Sequence, residues 1–90
     1  MIFTVVWLPT AEAELARIWN TAADRDAVAA AADRIDAALR RDAPRRGESR
    51  SGSARVYFDW PLGVDFDVDE DDRIVRVLAV WRMVRRDPAG

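Results

Sequence analysis

Residues 64–81 read VDFDVDEDDRIVRVLAVW, and this stretch decides the fold class of the chain. Apolar residues alternate with aspartates over residues 64–68, which predicts a strand with one buried and one polar face. The acidic run over residues 69–72 predicts a turn, and the apolar run over residues 74–81 predicts a second, more deeply buried strand. The stretch therefore predicts an antiparallel hairpin within a sheet.

A third strand is predicted directly before this hairpin. Residues 54–60 read ARVYFDW, a run of β-branched and aromatic side chains that favours a strand, and Pro61 and Gly63 interrupt the pattern after it. Residues 42–53, DAPRRGESRSGS, lack apolar periodicity and are rich in turn-forming residues, so they are predicted to form a loop. The C-terminal part is therefore expected to be a three-stranded antiparallel meander.

The N-terminal part predicts one strand and two helices. Residues 2–7 are β-branched and aromatic, which predicts a buried strand. Apolar residues recur at spacings of three and four from about residue 10 to about residue 22, which predicts an amphipathic helix with Thr10 as its N-cap. A second such pattern predicts a helix from Asp24, its N-cap, to about Arg41. The short join between them favours an antiparallel helical hairpin.

The order β-α-α-β-β-β predicts an α+β fold of two layers. Ninety residues suffice for one thin core, so residues 1–90 are expected to form a single domain. Trp7 and Trp19 are expected to lie in that core. The apolar N-terminal run is short and meets Pro9, which favours a strand over a signal peptide, and no run is long enough to predict a membrane span.

The composition excludes several kinds of site. The chain has no cysteine and no histidine, which excludes zinc sites built on thiolate or imidazole. Residues 65–69 resemble part of a calcium loop, but Glu70 stands where that loop needs glycine and Arg76 where it needs glutamate. No metal ion and no cofactor are therefore expected. A chain without disulfides suits a reducing cytoplasm, which is the predicted location.

All fourteen basic residues are arginines, and the charges occur in blocks. Residues 40–58 carry six arginines against two acids, residues 59–72 carry seven acids and no arginine, and residues 73–90 carry five arginines against one acid. The net charge of −2 argues against a nucleic-acid partner, but two arginine-rich blocks that meet in space would weaken that argument.

Four segments resemble, in order, the RelE/ParE superfamily of type II toxins. The resemblance implies a bacterial, plasmid-stabilisation-like toxin that a small antitoxin peptide neutralises. It also implies one of two targets, because RelE-like members cleave mRNA on the ribosome and ParE-like members poison DNA gyrase, and a shared fold does not settle which applies. The segments are WLPTAEAELARIW (residues 7–19), AADRIDAALRRDAPRRGESR (31–50), PLGVDFDVDEDDRIV (61–75) and VLAVWR (77–82).

Three arginines are the predicted catalytic groups of a metal-independent endoribonuclease. Arg76 and Arg82 share strand parity and are expected to project from one face of the sheet, where Arg55 would join them. Fixed guanidinium groups would stabilise the charge that develops on a phosphate during RNA cleavage. Arg82 resembles the last-strand arginine of RelE-like members, but Trp81 stands where a histidine often precedes it. Tyr57 is the one phenolic hydroxyl left for proton transfer, so the acid–base set is incomplete.

Further residues are predicted to bind RNA or the antitoxin. Their positive charge would attract phosphates, and an exposed aromatic ring would stack on unpaired bases. The alternative is that the arginines are solvated partners of the acids in residues 59–72 and that the aromatic residues pack within the sheet. The predicted binding set is Arg45, Arg46, Arg50, Trp81, Arg85 and Arg86.

Three functions remain open from the sequence. The first is inhibition of translation by ribosome-dependent mRNA cleavage, which the arginine blocks favour. The second is a ParE-like toxin directed at DNA gyrase, which the missing nuclease residues favour. The third is a non-toxic member of this fold that binds a partner or forms a homodimer. In each toxin case, an acidic or amphipathic antitoxin segment is expected to lie across the arginine-bearing face or along a sheet edge.

Overall fold

A helical hairpin packs on one face of a five-stranded sheet. The computed structural model describes residues 2–51 and 54–84, with the side chains of all of these except residues 50 and 51. The predicted α+β architecture is confirmed, because the strand, the helical hairpin and the meander follow in the expected order. The elements are β1 (Thr4–Trp7), α1 (Pro9–Thr21), α2 (Arg25–Asp42), a 3₁₀ turn (Ala43–Arg45), β2 (Glu48–Ser51), β3 (Ala54–Asp59), β4 (Leu62–Asp69) and β5 (Ile74–Arg82).

The strands lie in the order β1-β5-β4-β3-β2 across the sheet. β3, β4 and β5 form the predicted antiparallel meander, and β1 pairs in parallel with β5, where Thr4 lies opposite Ile74. The loop predicted for residues 42–53 is wrong in part, because this segment contains the 3₁₀ turn and β2; residues 52 and 53 lie outside the described residues. β2 is a polar edge strand held by its pairing with β3, so hydrophobic periodicity gives no sign of it.

The core lies between the helices and the sheet. α2 buries a stripe that includes Val28, Ile35 and Leu39, as its spacing predicts, and α1 buries Ile18. Burial of each such side chain stabilises the fold by roughly 1.5–3 kcal/mol. The sheet contributes alternate residues of its interior strands, which are Leu62, Val64 and Phe66 from β4 and Val75 and Val77 from β5.

The starts of the two helices differ from each other. α1 begins at Pro9 with Leu8 at the N-cap, so the prediction of Thr10 as N-cap is wrong. Proline suits the first helical position because it has no N–H to leave unpaired and its φ is already helical. Asp24 stands at the N-cap of α2 as predicted, but its carboxylate makes no capping hydrogen bond. Within residues 2–51 and 54–84, no helix is both long enough and apolar enough to cross a membrane.

The two tryptophans predicted to be core residues have different environments. Trp7 packs against the core, and its indole N–H donates a hydrogen bond to Asp36 at 3.3 Å. Trp19 is 41% exposed, so its predicted core position is wrong. Its neighbour Ile18 takes the buried position, and successive helical residues are about 100° apart around the axis.

An extra residue in β5 exchanges the two faces of that strand. Asp65 of β4 lies opposite Ala79, whereas the next residue, Phe66, lies opposite Val77, so Leu78 is left without a partner. The odd-numbered residues of β5 face the core before this bulge, and the even-numbered residues face it afterwards. We call the side of the sheet turned away from the helices the open face.

Candidate functional site

The three arginines predicted to form one catalytic cluster do not come together. Because of the bulge, Arg76 lies on the open face, whereas Arg82 lies on the helix-facing side opposite Leu62. Arg55 lies opposite the buried Phe66 on the helix-facing side, four residues along β4 from the level of Arg82, or roughly 13 Å. The predicted common face of Arg76 and Arg82 is therefore wrong, and the catalytic roles of all three arginines stay predictions.

Arg76 lies among acidic side chains on the open face. Its guanidinium is 3.7 Å from the carboxylate of Asp67. Asp65 and Asp67 each have one buried carboxylate oxygen without a hydrogen-bond partner among the described residues. A phosphate that approached Arg76 would therefore compete with the carboxylate of Asp67 for the guanidinium. In the part of the chain that the structure describes, no group of three or more acidic side chains is arranged to hold a metal ion.

Arg82 is paired with Asp24 at the turn between the two helices. Its Nη2 atom lies 2.9 Å from the Oδ2 atom of Asp24. This hydrogen bond holds the pKa of the Asp24 carboxyl below its ordinary value and raises the pKa of the Arg82 guanidinium. The pair ties the end of β5 to the helical hairpin.

Arg55 holds the backbone that leads into β2. Its Nε atom donates to the carbonyl oxygen of Arg46 at 2.8 Å, and its Nη2 atom donates to that of Gly47 at 3.0 Å. Gly47 has a φ of 69°, in the left-handed region that glycine adopts without strain. Two of the five N–H donors of Arg55 are therefore engaged in hydrogen bonds to this turn, and fewer remain to bind a phosphate.

Of the arginines in the predicted binding set, the structure describes the side chains of Arg45 and Arg46. The side chain of Arg45 is 85% exposed, and its guanidinium lies 3.9 Å from the carboxylate of Asp42. Arg46 is partly buried, and its Nε atom has no hydrogen-bond partner among the described residues. Arg85 and Arg86 lie outside the described residues, as does the side chain of Arg50.

The two predicted aromatic residues lie on opposite sides of the sheet. Tyr57 is opposite Val64 on the helix-facing side, and its side chain packs against the core. Trp81 lies on the open face and covers Gly63 so closely that a Cβ there would be 2.6 Å from the indole ring. The ring of Phe58 meets Trp81 edge to face, with centroids 6.1 Å apart, and Phe58 is 51% exposed. This end of the open face is therefore an aromatic surface.

A groove between α1 and α2, which the sequence did not predict, is lined mainly by apolar side chains. Its volume is about 500 Å³. Alanines on α2 leave the space, and the exposed ring of Trp19 forms one wall. The sequence signals for this groove are the alanines of α2 and Trp19, and Trp19 was expected to lie in the core. The apolar lining consists of Leu15, Ala16 and Trp19 from α1 and Val28, Ala29 and Ala32 from α2.

Arg25, the first residue of α2, fixes the Trp19 wall. Its guanidinium carbon lies 4.8 Å from the ring centroid. The same guanidinium donates to the carbonyl oxygens of Trp19 and Asn20 at 3.1 and 2.9 Å. Carbonyl groups in the last turn of a helix lack intrahelical partners, and α1 has no basic residue of its own there. Arg25 therefore caps α1 and orients the aromatic wall at once.

The end of the groove away from the helical turn is acidic. Glu12 of α1 and Asp33 of α2 line it there, because the helices run antiparallel. Both side chains are exposed, and neither carboxylate pairs with another described residue. Glu14, on the same helix but outside the groove, is instead paired with Arg17. The groove thus combines an apolar floor with two unpaired carboxylates at one end.

Two solved toxin–antitoxin structures share this fold. A chain of the RelBE2 complex from Mycobacterium tuberculosis is 17% identical, with a TM-score of 0.78 over 94% of this chain and 95% of that one. A chain of the chromosomal ParDE system from P. aeruginosa is 17% identical, with a TM-score of 0.69 over 92% of this chain and 98% of that one. At this identity the likeness shows the fold alone. No curated protein matches the chain.

The sequence pattern of one family covers almost the whole chain. The pattern that describes the ParE toxin of the type II toxin–antitoxin system parDE matches residues 5–86. The match runs from β1 through the end of β5 and includes both helices. The chain belongs to the ParE toxin family of type II toxin–antitoxin systems.

Proposed function

We propose that this chain is a cytoplasmic toxin that acts by binding DNA gyrase, and not by cleaving mRNA. Family membership supports the toxin role and an antitoxin partner. One observation carries the choice of binding over cleavage. The arginines expected to surround a scissile phosphate lie on different sides of the sheet, and the one on the open face is already paired with the carboxylate of Asp67.

Proton transfer also argues against a nuclease. RNA cleavage needs a group that removes the proton of the 2′-hydroxyl and a group that protonates the leaving oxygen. The chain has no histidine or lysine, and Tyr57 packs against the core on the side away from Arg76. The carboxylates of Asp65 and Asp67 would repel the phosphate that Arg76 would attract.

The aromatic end of the open face supports a protein target. Phe58 is 51% exposed, and the ring of Trp81 lies beside it. Exposed aromatic side chains grouped in this way are typical of protein interfaces, where they supply most of the binding free energy. We assign this surface to the contact with gyrase.

A supercoiling assay with purified gyrase and the purified chain tests the proposal. We expect the chain to inhibit supercoiling and Phe58→Ala to weaken inhibition at least about tenfold, because an exposed interface aromatic is worth about 1.4 kcal/mol or more. Ile2→Ala is the matched control, since Ile2 is a 70% exposed apolar residue that precedes β1 at the other edge of the sheet.

Expression of the chain alone in a bacterial host distinguishes the alternatives. A fall in DNA synthesis before any fall in translation, with intact mRNA ends, supports the gyrase proposal. A prompt fall in translation with new mRNA 5′ ends, lost in Arg76→Ala, would reject it in favour of the nuclease. Normal growth with folded protein would favour a non-toxic binding role.

A further inference from the structure

We propose that Arg34 is a positioning residue for the contact with gyrase, because it holds the end of β3 that carries Phe58. Arg34 lies on α2 in the helical layer, whereas Phe58 lies on the open face, on the other side of the sheet. The inference rests on the proposed function, in which the aromatic end of the open face contacts gyrase. It names a residue outside that surface on which the affinity of the surface depends.

The guanidinium of Arg34 binds the last residue of β3 and the turn that follows it. Its Nε atom donates to both carboxylate oxygens of Asp59 at 3.1 Å, and its Nη2 atom donates to the Oδ1 atom at 2.9 Å. The Nη2 atom also donates to the carbonyl oxygen of Trp60 at 3.3 Å. Because two nitrogen atoms of one rigid fork take part, the contact fixes direction as well as distance. Arg34 therefore holds the backbone of residues 59 and 60.

This end of β3 is an edge of the sheet. Among the described residues, the pairing of β2 with β3 ends at Val56, so residues 57–59 have a strand neighbour on the β4 side only. The ends of strands open readily where few contacts hold them. Arg34 supplies a restraint from the helical layer at the place where β2 supplies none.

The restraint on Asp59 reaches Phe58 through the strand itself. Successive side chains of a strand point to opposite faces, so the residue that Arg34 binds directly follows the one whose ring lies on the open face. Phe58 and Trp81 are both opposite Gly63, and their rings meet edge to face with centroids 6.1 Å apart. A shift of the β3 backbone would therefore move the ring of Phe58 relative to Trp81.

The orientation of Phe58 matters because its ring is half-exposed. An exposed side chain that is free to move must be ordered when a partner binds, which costs affinity. The strand of Trp81 is tied to the helical hairpin in a similar way, since the next residue, Arg82, is paired with Asp24. Each of the two aromatic residues is thus followed by a charged residue that the helical layer binds. For Phe58 that contact is made by Arg34.

Fluorine NMR of the full chain labelled with 4-fluorophenylalanine tests the structural step. The chain has three phenylalanines, and the resonance of Phe58 is identified by its loss in Phe58→Ala. In Arg34→Gln and in Asp59→Asn this resonance should move toward its position in the unfolded chain, while those of the buried Phe3 and Phe66 stay unchanged. Movement of all three resonances would indicate a general loss of structure and overturn the proposal, as would no movement.

Inhibition of supercoiling by the same variants tests the functional step. Arg34→Gln should weaken inhibition about two- to tenfold, the affinity expected to be lost when one side chain has to be ordered on binding. In a Phe58→Ala background the same substitution should cause no further loss, because Arg34 acts through Phe58. An equal loss in both backgrounds would mean that Arg34 contacts gyrase itself, and would overturn the proposal.

Arg17→Gln is the matched control. Arg17 is also an exposed helical arginine in an ion pair, but its partner Glu14 lies on α1 and not on the sheet. This variant should leave the Phe58 resonance and the inhibition unchanged. If the chain does not inhibit gyrase, the proposed function is rejected, whereas the fluorine spectra decide by themselves whether Arg34 holds Phe58. A chain that inhibits gyrase equally well with and without Arg34 would reject this inference and leave the proposed function intact.

Discussion

Asp24 and Arg82 are 58 positions apart in the sequence, and their side chains are joined by a hydrogen bond of 2.9 Å. The bond connects the turn between the helices to the last residue of β5. Position in the family pattern suggested a catalytic arginine at residue 82, whereas the fold gives this arginine an acidic partner in the other layer. Loss of function in an Arg82 variant therefore reports on stability as well as on chemistry.

The Asp24–Arg82 pair predicts a specific acid dependence of stability. The folded-state pKa of Asp24 is lowered from its ordinary value of 3.8, so its stabilisation is fully present above that value and is lost as the pH falls through the lowered pKa. Asp24→Asn has no carboxyl group at this position, so its stability should not show this loss in acid. Urea unfolding of both proteins from about pH 2 to pH 7 should show stabilities that differ at neutral pH and converge in acid. The same difference at every pH would contradict the prediction, and Arg82→Gln should reproduce the behaviour of Asp24→Asn.

Arg55 is predicted to be a structural residue. Arg55→Gln should lower the free energy of unfolding by about 1–3 kcal/mol, because two backbone carbonyls lose their charged donor. Arg76→Gln is the matched control and should cost less than about 1 kcal/mol, since its ion pair is long and partly exposed. Equal losses in the two variants, measured by urea unfolding, would refute the assignment.

The close packing of the Trp81 ring is predicted to require glycine at residue 63. A Cβ at residue 63 would lie 2.6 Å from the indole, so Gly63→Ala must displace the ring and should destabilise the fold by about 1–3 kcal/mol. In a Trp81→Ala background the same substitution should cost much less. Urea unfolding of the four proteins of this cycle gives the coupling. Additive effects of Gly63→Ala and Trp81→Ala would mean that overlap with the indole ring does not cause the destabilisation by Gly63→Ala.

Gly47 is predicted to hold β2 onto the sheet. An alanine there would be strained at a φ of 69° and its Cβ would overlap the carbonyl oxygen of Val56. Hydrogen exchange of the β2 and β3 amides should therefore become faster in Gly47→Ala while the β5 amides stay protected. Gly47→Asn separates the two causes, because asparagine tolerates a left-handed backbone but still carries a Cβ. A near-normal Asn variant would mean that the overlap is relieved easily.

The layers of this fold are predictable from the sequence because each depends on local periodicity. The spacing of Val28, Ile35 and Leu39 and the alternation around Phe66 indicate which residues face the core, and the structure buries all four. The edge strand β2 is not predictable in this way, since it has no apolar face and depends on its pairing with β3.

The candidate site was predicted less well, for two physical reasons. Strand parity placed Arg76 and Arg82 together, but one unpaired residue, Leu78, reverses parity between them, and no local signal marks that bulge. The groove between the helices depends on how closely α1 and α2 approach each other. Trp19 has the spacing of a core residue, and only the packed hairpin shows that it lines an open groove.

Because β1 pairs in parallel with β5, the sheet cannot be completed until β5 has been synthesised. The partner of Thr4 in the sheet is Ile74, which is synthesised 70 residues later. At translation rates of about 5–20 residues per second, that interval is about 4–14 s. During this time the residues of both helices lack β5, the strand that contacts α1 and lies next to β1 in the finished fold. The sheet and every surface that depends on it are completed only as the last strand leaves the ribosome.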